Sequence, residues 1–364
     1  MKDLSSKYME IAIKLALKGA GKVSPNPMVG AVIVKNGVII GKGYHKAYGQ
    51  NHAEVNAFES CVTDPAGADM YVTLEPCCHF GKTPPCTGRI IREKIKRVFI
   101  GSGDPSPHAA GKGIVQLKNA GIEVVTGVCE KECTILNAAF LKFATKKTPL
   151  IVIKAAVSAD GCMAADSGDS KWITNEKSRK YSHRLRSFYD AVLVGKNTVI
   201  NDDPELTVRH VKGRNPVRIV LDSRLEIPSS EKVFDGTSET IVISSNSADN
   251  KTAETFLKDR GITVLKVDMK DGFLDLKTAF MLLGERKITS VMAEGGGTIH
   301  SYLLNNRIAD RLNLFTAPVL IGSGKRFFSG SDFSSVDSSI WLDIIDIKHF
   351  GDDIFTDAFL RYRD

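Results

Sequence analysis

The side chains with the most chemistry in them are His52-Ala53-Glu54, then Pro76-Cys77 and, after eight further residues, Cys86. One imidazole and two thiolates make a three-ligand set that leaves a zinc ion's fourth position to water, which is the pattern of a catalytic site. Glu54 is of more use as a proton shuttle than as a ligand. His-x-Glu followed by Pro-Cys is how zinc enzymes hydrolyse an exocyclic amine from a nucleobase-like ring. Asn51 is a good N-cap and predicts a helix from about residue 52 with His52 and Glu54 in its first turn. Thr87-Gly88-Arg89 opens another predicted helix, so Cys86 would sit where the helix dipole favours a thiolate. Cytidine-type deaminases separate their cysteines by two residues, and the eight here point away from simple cytidine or tRNA deamination. Cys78 stands as an alternative to Cys77, which holds the post-proline place. Cys61, Cys129, Cys133 and Cys162 read as core or boundary residues.

The elements around these residues alternate. An amphipathic helix over 5–20 would bury Met9, Ile13, Ala16 and Leu17. A hairpin follows, VGAVIVK and VIIGKGY turning at Asn36-Gly37. After the helix at 52 come strands at 70–74, 97–101 and 122–126 with helices near 87–96 and 112–120. That rhythm predicts a three-layer α/β sandwich. Ala144–Pro149, polar and ending in proline, reads as a linker between domains 1–146 and 147–364.

The second domain repeats the alternation, with strands expected at 149–157, 190–195, 217–222, 240–244, 262–267 and 289–293. Strands at 311–317 and 341–349 lack an obvious helical crossover. This predicts a mostly parallel sheet with antiparallel strands at its carboxyl-terminal edge. Glu294-Gly295-Gly296-Gly297-Thr298 joins a strand to a helical pattern, a turn whose backbone can approach a phosphate at a helix N-terminus. Taken alone, such a loop is equally a mere tight turn. Trp341 reads as core.

Length and composition bound these readings. A chain of 364 residues, 43% apolar and 25% charged, suits two globular domains. Residues 1–146 carry 19 Lys+Arg against 12 Asp+Glu, and residues 147–364 carry 30 of each. The whole excess of +7 thus lies in the first domain. It forms no basic cluster of the kind polynucleotide binding needs, and it suits an anionic small molecule. No apolar run reaches the ~18 residues of a membrane span. Asp3, Glu10 and recurring lysines interrupt any signal-peptide pattern at the start. Seven cysteines without disulfide-framework spacing point to a reducing, cytoplasmic setting.

HAEVNA, TLEPCCHFGKTPPC, SPNPMVGAVIV and GDPSPHAAGKG, in the first domain, resemble the bifunctional riboflavin-biosynthesis deaminase/reductase family. In the second, IKAAVSADG, SGDSKWIT, NDDPELTVR, VLDSRL and EGGGTIHSYLL are similar to the reductase half of that family. The resemblance implies a cytidine-deaminase-like sandwich followed by a dihydrofolate-reductase-like α/β domain. It implies zinc on His52, Cys77 and Cys86 with Glu54 catalytic, and substrate contacts from Asn26, His45, His79, Lys82 and Asp104. Lys82 would suit a phosphate, and Asn26 could read a pyrimidinone edge through paired hydrogen bonds. Ser106-Pro107-His108-Ala109 departs from the family's usual Asn-Pro-x-Val.

For the reductase half, the resemblance implies NADPH on Ala156, Trp172, Thr198, Asp202, Ser223 and the loop Gly296, Gly297, Thr298, Ile299, His300, Ser301 and Tyr302. Substrate would meet Ser170, Arg186, Leu206, Arg209 and Glu294, with the arginines suited to its 5′-phosphate. Lys154 would contact the reacting ribose end. The implied reactions are hydrolytic deamination of 2,5-diamino-6-ribosylamino-4(3H)-pyrimidinone 5′-phosphate, then NADPH-dependent reduction to 5-amino-6-ribitylamino-uracil 5′-phosphate. The family also implies a homo-oligomer, with no nucleic-acid or membrane partner. Two other readings stand beside it: a deaminase of free or RNA-borne bases, which would show salt-dependent RNA binding, and a zinc-stabilised scaffold without turnover.

Overall fold

A computed structural model describes residues 4–80, 84–107, 109–330 and 333–363. The chain forms two compact units, Met1–Lys147 and Thr148–Asp364.

The first unit begins with α1 (Leu4–Ala16). Its buried stripe is Tyr8, Met9, Ala12 and Ala16. Leu17, expected on that stripe, is 50% exposed, because the chain tightens into a 3-10 turn at Leu17–Gly19 and rotates it off the face. The hairpin pairs β1 (Gly30–Lys35) with β2 (Val38–Tyr44), and Asn36 and Gly37 take the positive φ values (51° and 77°) that a tight two-residue turn demands. Then follow α2 (Ala53–Glu59), β3 (Asp69–Leu74), α3 (Cys86–Arg92), β4 (Arg97–Ser102), α4 (Lys112–Asn119) and β5 (Glu123–Thr126). Two helices that the periodicity missed close the unit, α5 (Glu130–Leu136) and α6 (Ala138–Lys146).

Of the segment read as a linker, Ala144–Lys146 form the last turn of α6, and the boundary between the units falls in its remainder, after Lys147. Alanine and lysine extend a helix well, and Pro149 marks what lies beyond its end. The five strands lie in the order β2-β1-β3-β4-β5. Alternation along the strands divides the core in two. Ala31, Ile33, Met70, Val72, Val98 and Ile100 pack with residues of α2, α3 and α4. Val32, Val34, Tyr71 and Phe99 pack with α1 and Cys133 of α5. This is the three-layer sandwich.

The second unit runs β6 (Leu150–Ser158), β7 (Cys162–Ala164), α7 (Glu176–Arg186), β8 (Ala191–Gly195), α8 (Lys196–Asp202), β9 (Val217–Leu221), β10 (Thr240–Ser245), α9 (Lys251–Asp259), β11 (Thr263–Val267), β12 (Met269–Lys270), β13 (Phe273–Leu274), α10 (Leu276–Glu285), β14 (Ser290–Ala293), α11 (Gly297–Asn305), β15 (Arg311–Ala317), β16 (Lys325–Arg326), β17 (Trp341–Phe350) and β18 (Asp353–Arg361). The main sheet has the order β11-β10-β9-β8-β14-β6-β15-β18-β17. It is parallel from β11 through β15, and β18 and β17 add to it antiparallel.

β18 escaped the sequence reading because its inward positions include Asp353 and Asp357, which mask the apolar alternation. Asp357 is satisfied by Arg311 across the β15–β18 pair. Trp341, expected in the core, is 36% exposed on the edge strand β17, with Arg363 over its ring. Strand β14 returns to the middle of the sheet between β8 and β6. Such a reversal of strand order opens a crevice at the carboxyl ends of the strands, which is where Glu294 and the glycines lie.

Candidate functional site

In the first unit the loop after β3 and the N-termini of α2 and α3 converge. His52 is itself the N-cap of α2, one residue later than expected, and Asn51 instead reaches Glu59 with its side chain. His52 Nδ1 lies 3.3 Å from Cys86 Sγ and 3.5 Å from Cys77 Sγ, and the three ligand atoms fall within 4.8 Å of one another. Tetrahedral zinc with ordinary Zn–N and Zn–S bonds would set N···S at ~3.5 Å. The residues fit the metal before it arrives. Among the described residues this is the cluster with metal-ligand geometry, and Cys78 is not part of it.

The charges are arranged to match. Without metal, hydrogen bonds from the Cys86 thiol, His52 and the Cys86 backbone N–H (3.4 Å) outweigh burial and push the Cys77 thiol down to about 4. The same contact with Cys77, together with burial, drives Cys86 upward, and Cys77 also raises His52. Glu54, 3% exposed, is raised by burial and then by the charge of Cys77. A carboxyl held toward its neutral form next to a thiolate is suited to carrying a proton.

A cavity of about 530 Å³ opens over this cluster and is lined by Asn26, His45, His52, Glu54, Cys77, His79 and Asp104, among others. Asn26 Nδ2 is 3.2 Å from His45 Nε2, and His45 Nδ1 is 3.0 Å from the Asn51 carbonyl. Burial lowers His45, which favours the neutral ring, and its two nitrogens face different partners, the Asn51 carbonyl and the Asn26 amide. Lys82 and His108 lie outside the described residues. Phe140 and Lys147 also line the cavity. They come from α6 and its cap, which the sequence reading did not see. Asn137, at the α5–α6 junction, accepts from Met28 N–H (2.8 Å) and donates to Met28 C=O (3.0 Å), so it holds the loop that carries Asn26.

In the second unit the register of β14 on β6 (Ala293 opposite Ile153) brings Lys154 beside Glu294, with Nζ 4.0 Å from Oε2. Arg186, from the end of α7, grips Glu294 through Nε (2.8 Å) and Nη2 (2.9 Å), and its Nη1 donates to the Thr207 carbonyl (2.7 Å). Burial would raise the Glu294 carboxyl, but Arg186 and then Lys154 hold it at about 2. Burial lowers Lys154, and Glu294 partly offsets this. The Leu206 side chain lies in the core with its backbone at positive φ (54°). Arg209 is exposed and paired with Glu205 at 2.7 Å, and Ser170 is exposed.

Two hollows follow α11. One, of about 260 Å³, gathers Thr198, Ser223, Gly296, Thr298 and Ile299; the other, of about 550 Å³, gathers Gly297, Thr298, Ser301 and Tyr302 with Lys325 and Arg326. Asp222 presents Ser223 by accepting the N–H groups of Glu226 (2.7 Å) and Ile227 (2.9 Å). A Cβ on Gly297 would lie 2.3 Å from the Arg326 carbonyl, so only glycine lets β16 close over the start of α11. That cradle of backbone N–H groups and two cations fits a dinucleotide diphosphate. Lys325 and Arg326 had no motif to announce them. Neither hollow includes Ala156, Trp172 (70% exposed), Asp202 or His300, whose ring is fully buried.

Comparison with known proteins agrees across the whole chain. Residues 149–356 match the family described as RibD C-terminal domain, and residues 2–102 match the cytidine and deoxycytidylate deaminase zinc-binding region. The riboflavin biosynthesis protein RibD of Aquifex aeolicus (strain VF5) is 44% identical over 363 residues, covering 100% of both chains. A solved diaminohydroxyphosphoribosylaminopyrimidine deaminase/5-amino-6-(5-phosphoribosylamino)uracil reductase from Thermotoga maritima is 38% identical with a TM-score of 0.86, covering 98% of this chain and 99% of its own. RibD of Acinetobacter baumannii (form 1) is 35% identical, also with a TM-score of 0.86 and the same coverage.

Proposed function

The chain belongs to the RibD family, and on that premise we propose how its two units divide two consecutive reactions. It is a zinc-dependent deaminase and an NADPH-dependent reductase of riboflavin biosynthesis. We assign the deaminase to residues 1–146 and the reductase to 147–364. The observation that carries the assignment is the convergence of His52, Cys77 and Cys86 with buried Glu54 under a cavity that also gathers Asn26, His45, His79 and Asp104.

In the first unit His52, Cys77 and Cys86 hold zinc, which when bound supplies the Lewis acidity that makes water nucleophilic at neutral pH. Glu54 takes a proton from the attacking water and delivers it to the amine leaving C2 of the pyrimidinone, so ammonia departs neutral. Asn26 reads the amide edge of the ring, and His45 fixes the Asn26 amide by their 3.2 Å contact. His79, Asp104 and Lys82 complete the substrate contacts.

In the second unit NADPH, when bound, would supply the hydride chemistry for reducing the ribosyl group. Thr198, Ser223, Gly296, Gly297, Thr298, Ile299, Ser301 and Tyr302, which line the two hollows, would hold it, while the buried His300 ring supports the start of α11 from beneath. Lys154, kept less basic than usual, donates the proton that ring opening and reduction require. Glu294 positions Lys154 and is itself held by Arg186. Arg186 is enclosed by Glu294 and Thr207, whereas Arg209 is exposed with a surface partner, Glu205, so Arg209 is the more accessible of the two for the 5′-phosphate; Ser170 and Leu206 are assigned to the same substrate.

No helix among the described residues is long and apolar enough to cross a membrane, and we assign the protein to the cytoplasm. The small-molecule substrates call for no nucleic-acid partner. The long edge strand β17, with Ile344 53% and Ile347 51% exposed, supports a homo-oligomer that covers it. Incubation with the diaminopyrimidinone phosphate and NADPH, with ammonia and NADPH followed separately, tests the reading. One ammonia released and one NADPH consumed per substrate is the expected stoichiometry. NADPH loss without ammonia would refute the order of steps.

A further inference from the structure

One wall of the deaminase cavity comes from the segment after β4, whose Asp104, Ser106 and Pro107 enter the lining. Glu75 reaches this segment from the end of β3, two residues before Cys77, and it is only 5% exposed. Its Oε2 accepts the backbone N–H groups of Asp104 (3.3 Å) and Gly111 (3.1 Å), while Oε1 accepts those of Gly113 (3.0 Å) and Ile114 (3.3 Å). The last two belong to the first turn of α4, whose N–H groups have no partner within the helix and whose dipole favours an anion. A carboxylate offers about four lone-pair sites, and here backbone donors converge on all of them.

The approach is close. A Cβ on Gly113 would lie 2.2 Å from the Pro76 carbonyl and 3.1 Å from Glu75 Oε1. The backbone N–H of Glu75 donates to the Ser102 carbonyl at 2.9 Å, so one residue ties the end of β3 to both ends of the segment.

We propose that Glu75 is a positioning residue of the deaminase, which clamps the 103–111 loop to the stretch of chain bearing Cys77 and so fixes where Asp104 stands relative to the metal centre. A carboxylate is needed because either flip of a glutamine would aim an NH₂ at two backbone donors, and aspartate is one methylene short. The proposal rests on the reading that Asp104 meets substrate, and the variants below separate the two.

In the full-length protein, Glu75→Gln should keep its zinc and its reductase kinetics. The deaminase KM should rise roughly tenfold with a smaller change in kcat, since buried donors lose their acceptor without any loss from the reacting groups. Gly113→Ala, which leaves the carboxylate in place but pushes α4 away from it, should raise KM in the same way, and it decides the matter if Glu75→Gln does not fold. If the loop carries the effect, Glu75→Gln combined with Asp104→Ala should be little worse than Asp104→Ala alone. Unchanged KM in Glu75→Gln overturns the proposal, as does zinc loss in step with lost activity, which would make Glu75 a support of the metal instead. A wild-type KM in Asp104→Ala would remove Asp104 from the substrate site, while the KM of Glu75→Gln still reports whether the loop is held.

Discussion

Each unit is built around a buried glutamate, and the two are treated in opposite ways. Glu54 has a thiolate for its neighbour and little solvent, so it is pushed toward its neutral form. Glu294 is less deeply buried, its side chain 10% exposed, and lies between Arg186 and Lys154, which hold it ionised, down to about 2. The first can change its protonation during a reaction and the second cannot. In the proposed mechanism one carries a proton and the other is a fixed charge that orients a lysine. Burial alone does not decide a carboxyl's role; the sign of its neighbours does.

The contrast can be broken from either side. Glu54→Gln removes the carrier and should cut ammonia release by about 10²–10⁴-fold. Zinc should stay bound, and NADPH oxidation on pre-deaminated substrate should survive; joint loss of both activities would contradict two separate sites. Glu294→Gln leaves Arg186 buried without its partner and should destabilise the second unit by about 3–5 kcal/mol, measured by denaturant unfolding. The pH dependence has a definite sign. Because folding depresses the Glu294 pKa, its stabilisation is present above the ordinary glutamate value of about 4.3 and is lost as pH falls toward about 2. Acid unfolding of Glu294→Gln should lack that component.

A further test uses Lys154. Its burial lowers its pKa, so reductase kcat should decline with rising pH at a value below that of an ordinary lysine, and Lys154→Arg, if active, should shift that limb upward. The smallest effect is expected from Asn137→Ala. It strips both backbone partners from Met28 at a cost of about 1–3 kcal/mol and should raise only the deaminase KM by a few fold. An equal effect on NADPH oxidation would show that Asn137 does not act through the first unit alone.

Much of this was legible from residue order. His52, Glu54, Cys77 and Cys86 announce themselves because metal chemistry restricts ligand types and spacing. The parallel strands announce themselves as apolar runs between helical patterns. What stayed hidden has no local signal. Glu75 and Asn137 act on backbone groups 29 to 109 residues away in sequence, and nothing near them predicts such partners. α5 and α6 are short, and the residue that caps α5, Cys129, has a left-handed backbone and makes no side-chain cap. β18 carries an aspartate, Asp357, at an inward position, and its partner Arg311 lies on another strand, so the apolar alternation that would announce a strand is broken. Arg186 was legible as a functional residue, but not as the support of Glu294 that its bonds make it.

The eight-residue gap between Cys77 and Cys86 also has an entropic meaning. Closing a loop costs free energy that grows only with the logarithm of its length, about 0.6 kcal/mol for each doubling. Widening a two-residue spacer to eight therefore costs about 1.2 kcal/mol of closure entropy, a small amount against the binding energy of a zinc ion. In return, the longer spacer brings His79 into the lining of the cavity beside the metal ligands. A metal centre of this kind can change its substrate by lengthening one spacer, with the ligands, the proton carrier and the sheet beneath them left as they are.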